Sequence, residues 1–323
     1  MFERRHPQIV FIKGLKVGGT SVAVALNRVA QAYRIRLQDT IDVRAAEFGY
    51  LHDAPDCDTD RALYFHHAPR ARWMTRCIPY ARFATVLREP ISQALSWESM
   101  VLNREYSIHY PSEPCAVQRV FDFNVPHTTD ALKQALQSVE HCVDTPFRQN
   151  VTLALVAKLV GEFAPMSPGY AVDMTSSFIT GRKAQAVGAE LVHELDTSFV
   201  LVGVTERLNE FLVLLALHQG WALKHMYYMR CKIQDVSVDA KVFKAHFPAA
   251  YAKLQQSTRA QAEAYEHAKA LFAAHVDSLG PWFRDVVAQY ETGLRAFQNE
   301  YELARSSKKW VQFTYIDQQT EYC

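Results

Sequence analysis

The stretch IVFIKGLKVGGTSV, Ile9 to Val22, sets two lysines, three glycines and two hydroxyl residues between two apolar runs. A glycine-rich turn that leads into a helix presents backbone N–H groups at the positive end of the helix dipole. Gly18 and Gly19 let a ligand approach the backbone closely. Thr20 and Ser21 add hydroxyl donors, and Lys16 adds a mobile cation. This is the chemistry of a phosphate-type anion site. It is not the nucleotide-triphosphate loop, which needs GxxxxGK[ST] with lysine directly before the hydroxyl residue. Gly14 and Gly19 have that spacing, but Thr20 stands where the lysine belongs. A second candidate lies in ATVLREPISQALSW, Ala84 to Trp97, where Arg88 closes an apolar run. A guanidinium there can take a phosphate in a bidentate fork, with Ser96 on the following helix within reach of the same group. The third is YFHHAPRARW, Tyr64 to Trp73, with His66 and His67 near the end of a short apolar run. Histidine's ordinary pKa of about 6.5 suits a general base near neutral pH. Arg70, Arg72 and Arg76 either border the anion or form a solvated face.

These residues need elements to hold them. Ile9–Ile12 reads as a buried strand and Ser21–Tyr33 as a helix, with Val22, Leu26 and Val29 at helical spacing. Residues 62–65 and 83–87 read as further strands, the second stopped by Arg88-Glu89-Pro90. Ile91–Leu102 follows as a helix with proline in its first turn. Helices are predicted at 129–140, 148–160 and 209–219, and a strongly apolar strand at Phe199–Val204. Residues 239–305 are almost all helix formers, broken near Gly280-Pro281, and Tyr227, Tyr228 and Met229 read as helix core. Residues 36–62 and 103–127 read as irregular. Alternating strands and helices imply a parallel sheet with crossover helices. In such sheets ligands bind at the carboxyl edge of the strands, where Arg88 stands. The expected organisation is one α/β domain. It has a P-loop-like central parallel sheet over residues 1–235, flanked by helices, and a helical C-terminal extension over 236–323.

Composition narrows the class. The chain has 323 residues, enough for a substantial core. Its 35 Lys+Arg nearly cancel its 34 Asp+Glu, which argues against nucleic acid as a partner and against long polyanionic glycans. The six cysteines form no CxxC pair and show no zinc-ligand spacing with histidine, so they read as free thiols in a reducing compartment. No metal site is predicted. No apolar run approaches a membrane span, and no signal-peptide pattern opens the chain. The expectation is a soluble, cytoplasmic protein, with an N-terminal anchor removed from the chain as the alternative. The glycosylation sequon at Asn150 is expected to be unused.

The motifs also carry a resemblance. KVGGTS, from Lys16 to Ser21, resembles the KTGGTS loop of sulfotransferases that use 3′-phosphoadenosine 5′-phosphosulfate (PAPS). The carbohydrate 2-O- and galactose 3-O-sulfotransferases and their bacterial relatives are the most similar branch. There the loop grips the 5′-phosphosulfate, which implies cofactor contacts from Lys16, Gly18, Gly19, Thr20 and Ser21. Leu15 and Val17 depart from the family's proline and threonine. Arg88 and Ser96 match an arginine at a strand end and a serine eight positions on, which implies that they hold the 3′-phosphate; Glu89 replaces the commoner aspartate. His67-Ala68-Pro69 is similar to the Gly-His-x-Pro segment that supplies the catalytic histidine, with His66 in place of glycine. This implies His67 as base, with His66 as the rival. VGVTERLNEFLVLL (Val202–Leu215) and PFRQNVTLAL (Pro146–Leu155) resemble two further segments, in which Glu206, Arg148 and Asn150 are structural or line the site.

The family implies sulfuryl transfer from PAPS without metal, leaving 3′-phosphoadenosine 5′-phosphate, with Lys16 at the leaving oxygen. The acceptor is expected to be the hydroxyl or amine of a small molecule or saccharide. Residues 36–62, 103–127 and 165–190 are where acceptor selectivity is expected. Two other readings remain at this point: a nucleotide-dependent kinase, which would need magnesium, and a non-catalytic nucleotide-binding protein.

Overall fold

The computed structural model describes residues 9–35, 63–64, 80–97, 170–181, 188–229 and 239–306, with Arg70, Met74 and Ile78 singly. In chain order the elements are β1 (Ile9–Ile12), α1 (Gly19–Tyr33), β2 (Leu63–Tyr64), β3 (Arg82–Leu87), α2 (90–97), α3 (Tyr170–Thr180) and α4 (Gly188–Ser198). Then come β4 (Phe199–Val204), a 3-10 turn at Thr205–Arg207, α5 (Leu208–Gln219) and a second 3-10 turn at Leu223–Met226. The chain continues through α6 (Ala240–His246), α7 (Pro248–Ser257), α8 (Arg259–Ser278) and α9 (Pro281–Ser306). It is an α/β protein with a small, wholly parallel sheet in the order β2-β1-β3-β4. The helices predicted at 129–140 and 148–160, the irregular stretches 36–62 and 103–127, and all six cysteines lie outside the described residues.

The strands are short and almost entirely apolar because the sheet is covered on both faces. All four residues of β1 are buried, and it runs in register with β3 from Ile9↔Arg82 to Ile12↔Thr85. β4 pairs with β3 from Phe83↔Phe199 to Leu87↔Val204, with an irregularity after Phe83. The polar residue inside β3, Thr85, is fully buried and donates its hydroxyl to the Ile12 carbonyl at 2.9 Å.

The chain falls into two compact units. One combines the stretch up to Glu89 with Val172–Lys232 and the stretch from Ala260 on. Its core packs the sheet against Val22, Leu26 and Val29 of α1, Phe211 to Leu215 of α5, and Tyr265, Phe272, Tyr290 and Leu294 of the last two helices. Helix α5 ends on the left-handed Gly220, where Trp221 N–H donates to the Ala216 carbonyl at 2.9 Å. Polar bonds fix α9 against this core. Tyr290 donates to the Met226 carbonyl at 2.8 Å, and Asn209 accepts from Tyr228 and donates to Glu291, both at 3.0 Å. Tyr228 and Met229 are buried as expected, but in extended chain after the second 3-10 turn, not on a helix.

The other unit combines Pro90–Ala171 with Ile233–Arg259. Within it α2 buries Ile91, Ala94 and Leu95. Helix α6 is capped by Asp239, whose carboxylate accepts from the N–H groups of Lys241 and Val242. Helix α7 opens on Pro248, and Phe243 and Leu254 are buried. The helical region after residue 239 is therefore divided between the units. It breaks at Phe247 and Thr258 as well as at Gly280-Pro281.

Candidate functional site

Among the described residues, three connections leave the carboxyl edge of the sheet: Lys13–Gly18 after β1, Arg88–Glu89 after β3, and Thr205–Arg207 after β4. Side chains tie them together. Arg88 donates from Nη1 to the Lys16 carbonyl at 3.1 Å. Thr205 Oγ lies 2.9 Å from the Val17 carbonyl oxygen and 3.0 Å from that of Leu87. Glu206 Oε1 is 3.5 Å from the Glu89 N–H. Its other oxygen, Oε2, accepts from the Tyr265 hydroxyl of α8 at 3.0 Å.

The first connection turns from β1 into α1. Val17 is fully buried and pins the loop to the core, while Lys16 takes a left-handed backbone with φ of 58°. Gly18 is the N-cap of α1 at φ 76°, a conformation that side chains strain. Its carbonyl accepts from Ser21 at 3.0 Å and Val22 at 3.4 Å, so the helix starts at Gly19. Gly19 is needed for close approach: a Cβ there would lie 2.6 Å from Lys13 Cγ. Lys13 itself is only 6% exposed, its stem laid against the start of α1. The Gly19 and Thr20 N–H groups precede the first bond of the helix, at the end of the sheet where Arg88 meets the Lys16 carbonyl.

Arg88 is half-buried. Burial lowers its pKa from the ordinary value, and the nearby carboxylates of Glu206 and then Glu89 act in the opposite direction. The guanidinium stays charged, since arginine titrates far above neutral pH. Its Nη1 donates to the loop backbone. The same residue therefore shapes the loop and supplies charge. Tyr265 is buried, and its pKa is pushed up by that burial and then by Glu206, so its hydroxyl stays protonated and donates.

Lys16, Gly18, Gly19, Thr20, Ser21 and Arg88 thus stand at one edge of one unit. Ser96 is half-buried on α2, in the other unit. His66, His67, Arg72, Arg76, Arg148 and Asn150 lie outside the described residues. The Arg70 guanidinium is engaged with the protein itself. It pairs with Glu194 of α4 and donates from Nε to the Ile179 carbonyl at 3.1 Å, which makes it a structural clamp. Sequence reasoning missed Thr205, although a hydroxyl directly after an apolar strand is a recognisable signal. It also missed Lys13 as a buried loop residue and Tyr265, which carries no local signal. Among the described residues no group of three or more His, Cys, Asp or Glu could hold a metal ion. Among them, too, no helix is long and apolar enough to cross a membrane.

No protein-family model matches the chain. Comparison with curated proteins gives no match either.

Proposed function

We propose that the chain is a PAPS-dependent sulfotransferase built on a P-loop-like sheet, acting on a hydroxyl or amine of a small molecule or saccharide. The observation that carries this reading is the bond from Arg88 to the Lys16 carbonyl. It brings the glycine loop against the end of the neighbouring strand, so that the loop and the guanidinium stand at one edge of the sheet. PAPS, when bound, supplies the sulfuryl group. Lys16 and the first N–H groups of α1 would take the phosphosulfate end, and Arg88 the 3′-phosphate.

In the transfer, a bond forms between the acceptor oxygen or nitrogen and sulfur as the bond from sulfur to the phosphate oxygen breaks. Lys16 offsets the charge that grows on that leaving oxygen. His67, assigned from the sequence, takes the acceptor proton. The loop's role is to keep the reacting atoms in line, which is where much of the barrier reduction arises in such displacements.

Calorimetric titration with 3′-phosphoadenosine 5′-phosphate in the presence of a chelator tests the cofactor. Micromolar or tighter binding without metal supports it. Preference for magnesium-bound ATP over the diphosphate points to a kinase and removes the proposal. Transfer from radiolabelled PAPS across a panel of hydroxyl and amine acceptors then identifies the substrate. Tight cofactor binding with no transfer to any acceptor favours a non-catalytic binding protein.

A further inference from the structure

We infer that Glu206 is a built-in counter-charge that limits how tightly the carboxyl edge holds an anion, and so governs release of the spent diphosphate. The inference rests on the anion site proposed above.

The placement is specific. Glu206 is the middle residue of the turn after β4, and its Oε1 lies 3.5 Å from the backbone nitrogen of Glu89, one residue from Arg88. Its Oε2 accepts from Tyr265 at 3.0 Å, a buried ring that α8 brings from 59 residues away. Thr205, the preceding residue, is fastened to the Val17 and Leu87 carbonyls, so the turn cannot carry the carboxylate away without breaking those contacts. Glu206 is itself exposed, and the contacts to Glu89 and Tyr265 are what hold its carboxylate at this edge.

The electrostatic consequence has a definite sign. Arg88 is drawn towards its charged form by Glu206, and any anion taken by Arg88 feels the same carboxylate as a repulsion. Phosphate carries up to two negative charges, so the repulsion acts on each of them. At a partly exposed site with intermediate dielectric, a unit charge several ångströms away alters anion affinity by about three- to tenfold. A catalyst must let its product go, because product release often limits turnover. A site built from a helix N-terminus, Lys16 and Arg88 would hold a diphosphate product strongly, and a fixed negative charge restrains it.

A purely supportive role predicts the opposite sign. If Glu206 only braces the Arg88–Glu89 turn, removing its charge loosens the turn and weakens anion binding.

The test is titration of 3′-phosphoadenosine 5′-phosphate into wild type, Glu206→Gln, Glu206→Asp and Tyr265→Phe at low and high salt. Glu206→Gln should bind about three- to tenfold tighter at low ionic strength, with the gain shrinking as salt screens the charge. Glu206→Asp and Tyr265→Phe, which keep the negative charge, should stay within about twofold of wild type, well inside the effect expected of a lost charge. Equal or weaker binding by Glu206→Gln while wild type binds overturns this inference alone. A wild-type protein that binds no diphosphate overturns the functional reading, and this inference falls with it. If Tyr265→Phe gains as much as Glu206→Gln, the effect comes from loosening and not from charge, which also overturns it.

Discussion

Replacing Arg88 with alanine separates the site from the scaffold. The side chain donates to the Lys16 carbonyl at 3.1 Å, and in the proposed site its guanidinium also holds an anion. The first is one hydrogen bond from a half-buried group, so its loss should cost about 1 kcal/mol of stability. In a chain of this size that is a fall of a few degrees or less in melting temperature. The second is a charge-assisted contact worth about 1.5–3 kcal/mol, which is about ten- to more than a hundredfold in affinity. The asymmetry is the point of the experiment. Calorimetry with 3′-phosphoadenosine 5′-phosphate should report a large loss, while thermal unfolding followed by circular dichroism reports a small one. Arg88→Lys should fall between wild type and alanine, because it restores the charge without the planar fork. Unchanged affinity in Arg88→Ala would refute the assignment. So would a collapse in melting temperature with affinity preserved, since Arg88 would then be a structural strut.

His67→Ala should cut single-turnover transfer about 10²–10⁴-fold with cofactor affinity unchanged, and His66→Ala should be milder; the reverse order would make His66 the base. Tyr290→Phe removes a buried hydroxyl that donates to the Met226 carbonyl at 2.8 Å and should cost about 1–2 kcal/mol. Urea unfolding reads this directly, and an unshifted midpoint contradicts it. The His218 pKa is lowered by burial, then by His275 and Arg82. The unfolded chain therefore takes up that proton first, near pH 6.5. The stability His218 contributes is present above that pH and lost as the solution is acidified through the folded value. The difference in stability between wild type and His218→Gln should shift between pH 7.5 and 5, and a constant difference would show that His218 is not the sensor.

The strands were the most legible elements. β1 and β4 match the predicted Ile9–Ile12 and Phe199–Val204 in full, because strands of a helix-covered parallel sheet carry continuous apolar runs that leave a compact signature. The glycine loop was legible for the same local reason: its conformation depends on Gly18, which few other residues could replace. Helices α3 and α4 were not anticipated. YAVDMTSSFIT is rich in hydroxyl and β-branched residues and gains its order from packing, with Thr175, Ser176 and Phe178 buried. The Tyr265–Glu206 bond was out of reach altogether, since nothing in the periodicity of α8 tells which distant turn its tyrosine meets. Arg70 shows the converse: its type suggested an anion contact, while its partner Glu194 lies 124 residues away and assigns it to the scaffold.

The discontinuity of the sheet-bearing unit bears on how the chain is made. Its first stretch ends at Glu89 and its last begins at Ala260, so roughly 170 residues must leave the ribosome in between. At typical synthesis rates of about 5–20 residues per second, that is a wait of about ten to thirty seconds. During it β1, β3 and α1 exist without Phe272 and Tyr290, and the apolar surface those side chains will cover is open to water or to a chaperone. A chain cut short before Ala260 would keep the whole glycine loop and Arg88 yet lack the helices that close the core. Such a fragment should accumulate in aggregates and not as a small nucleotide-binding half, and slower translation across the intervening stretch should raise the demand for chaperones.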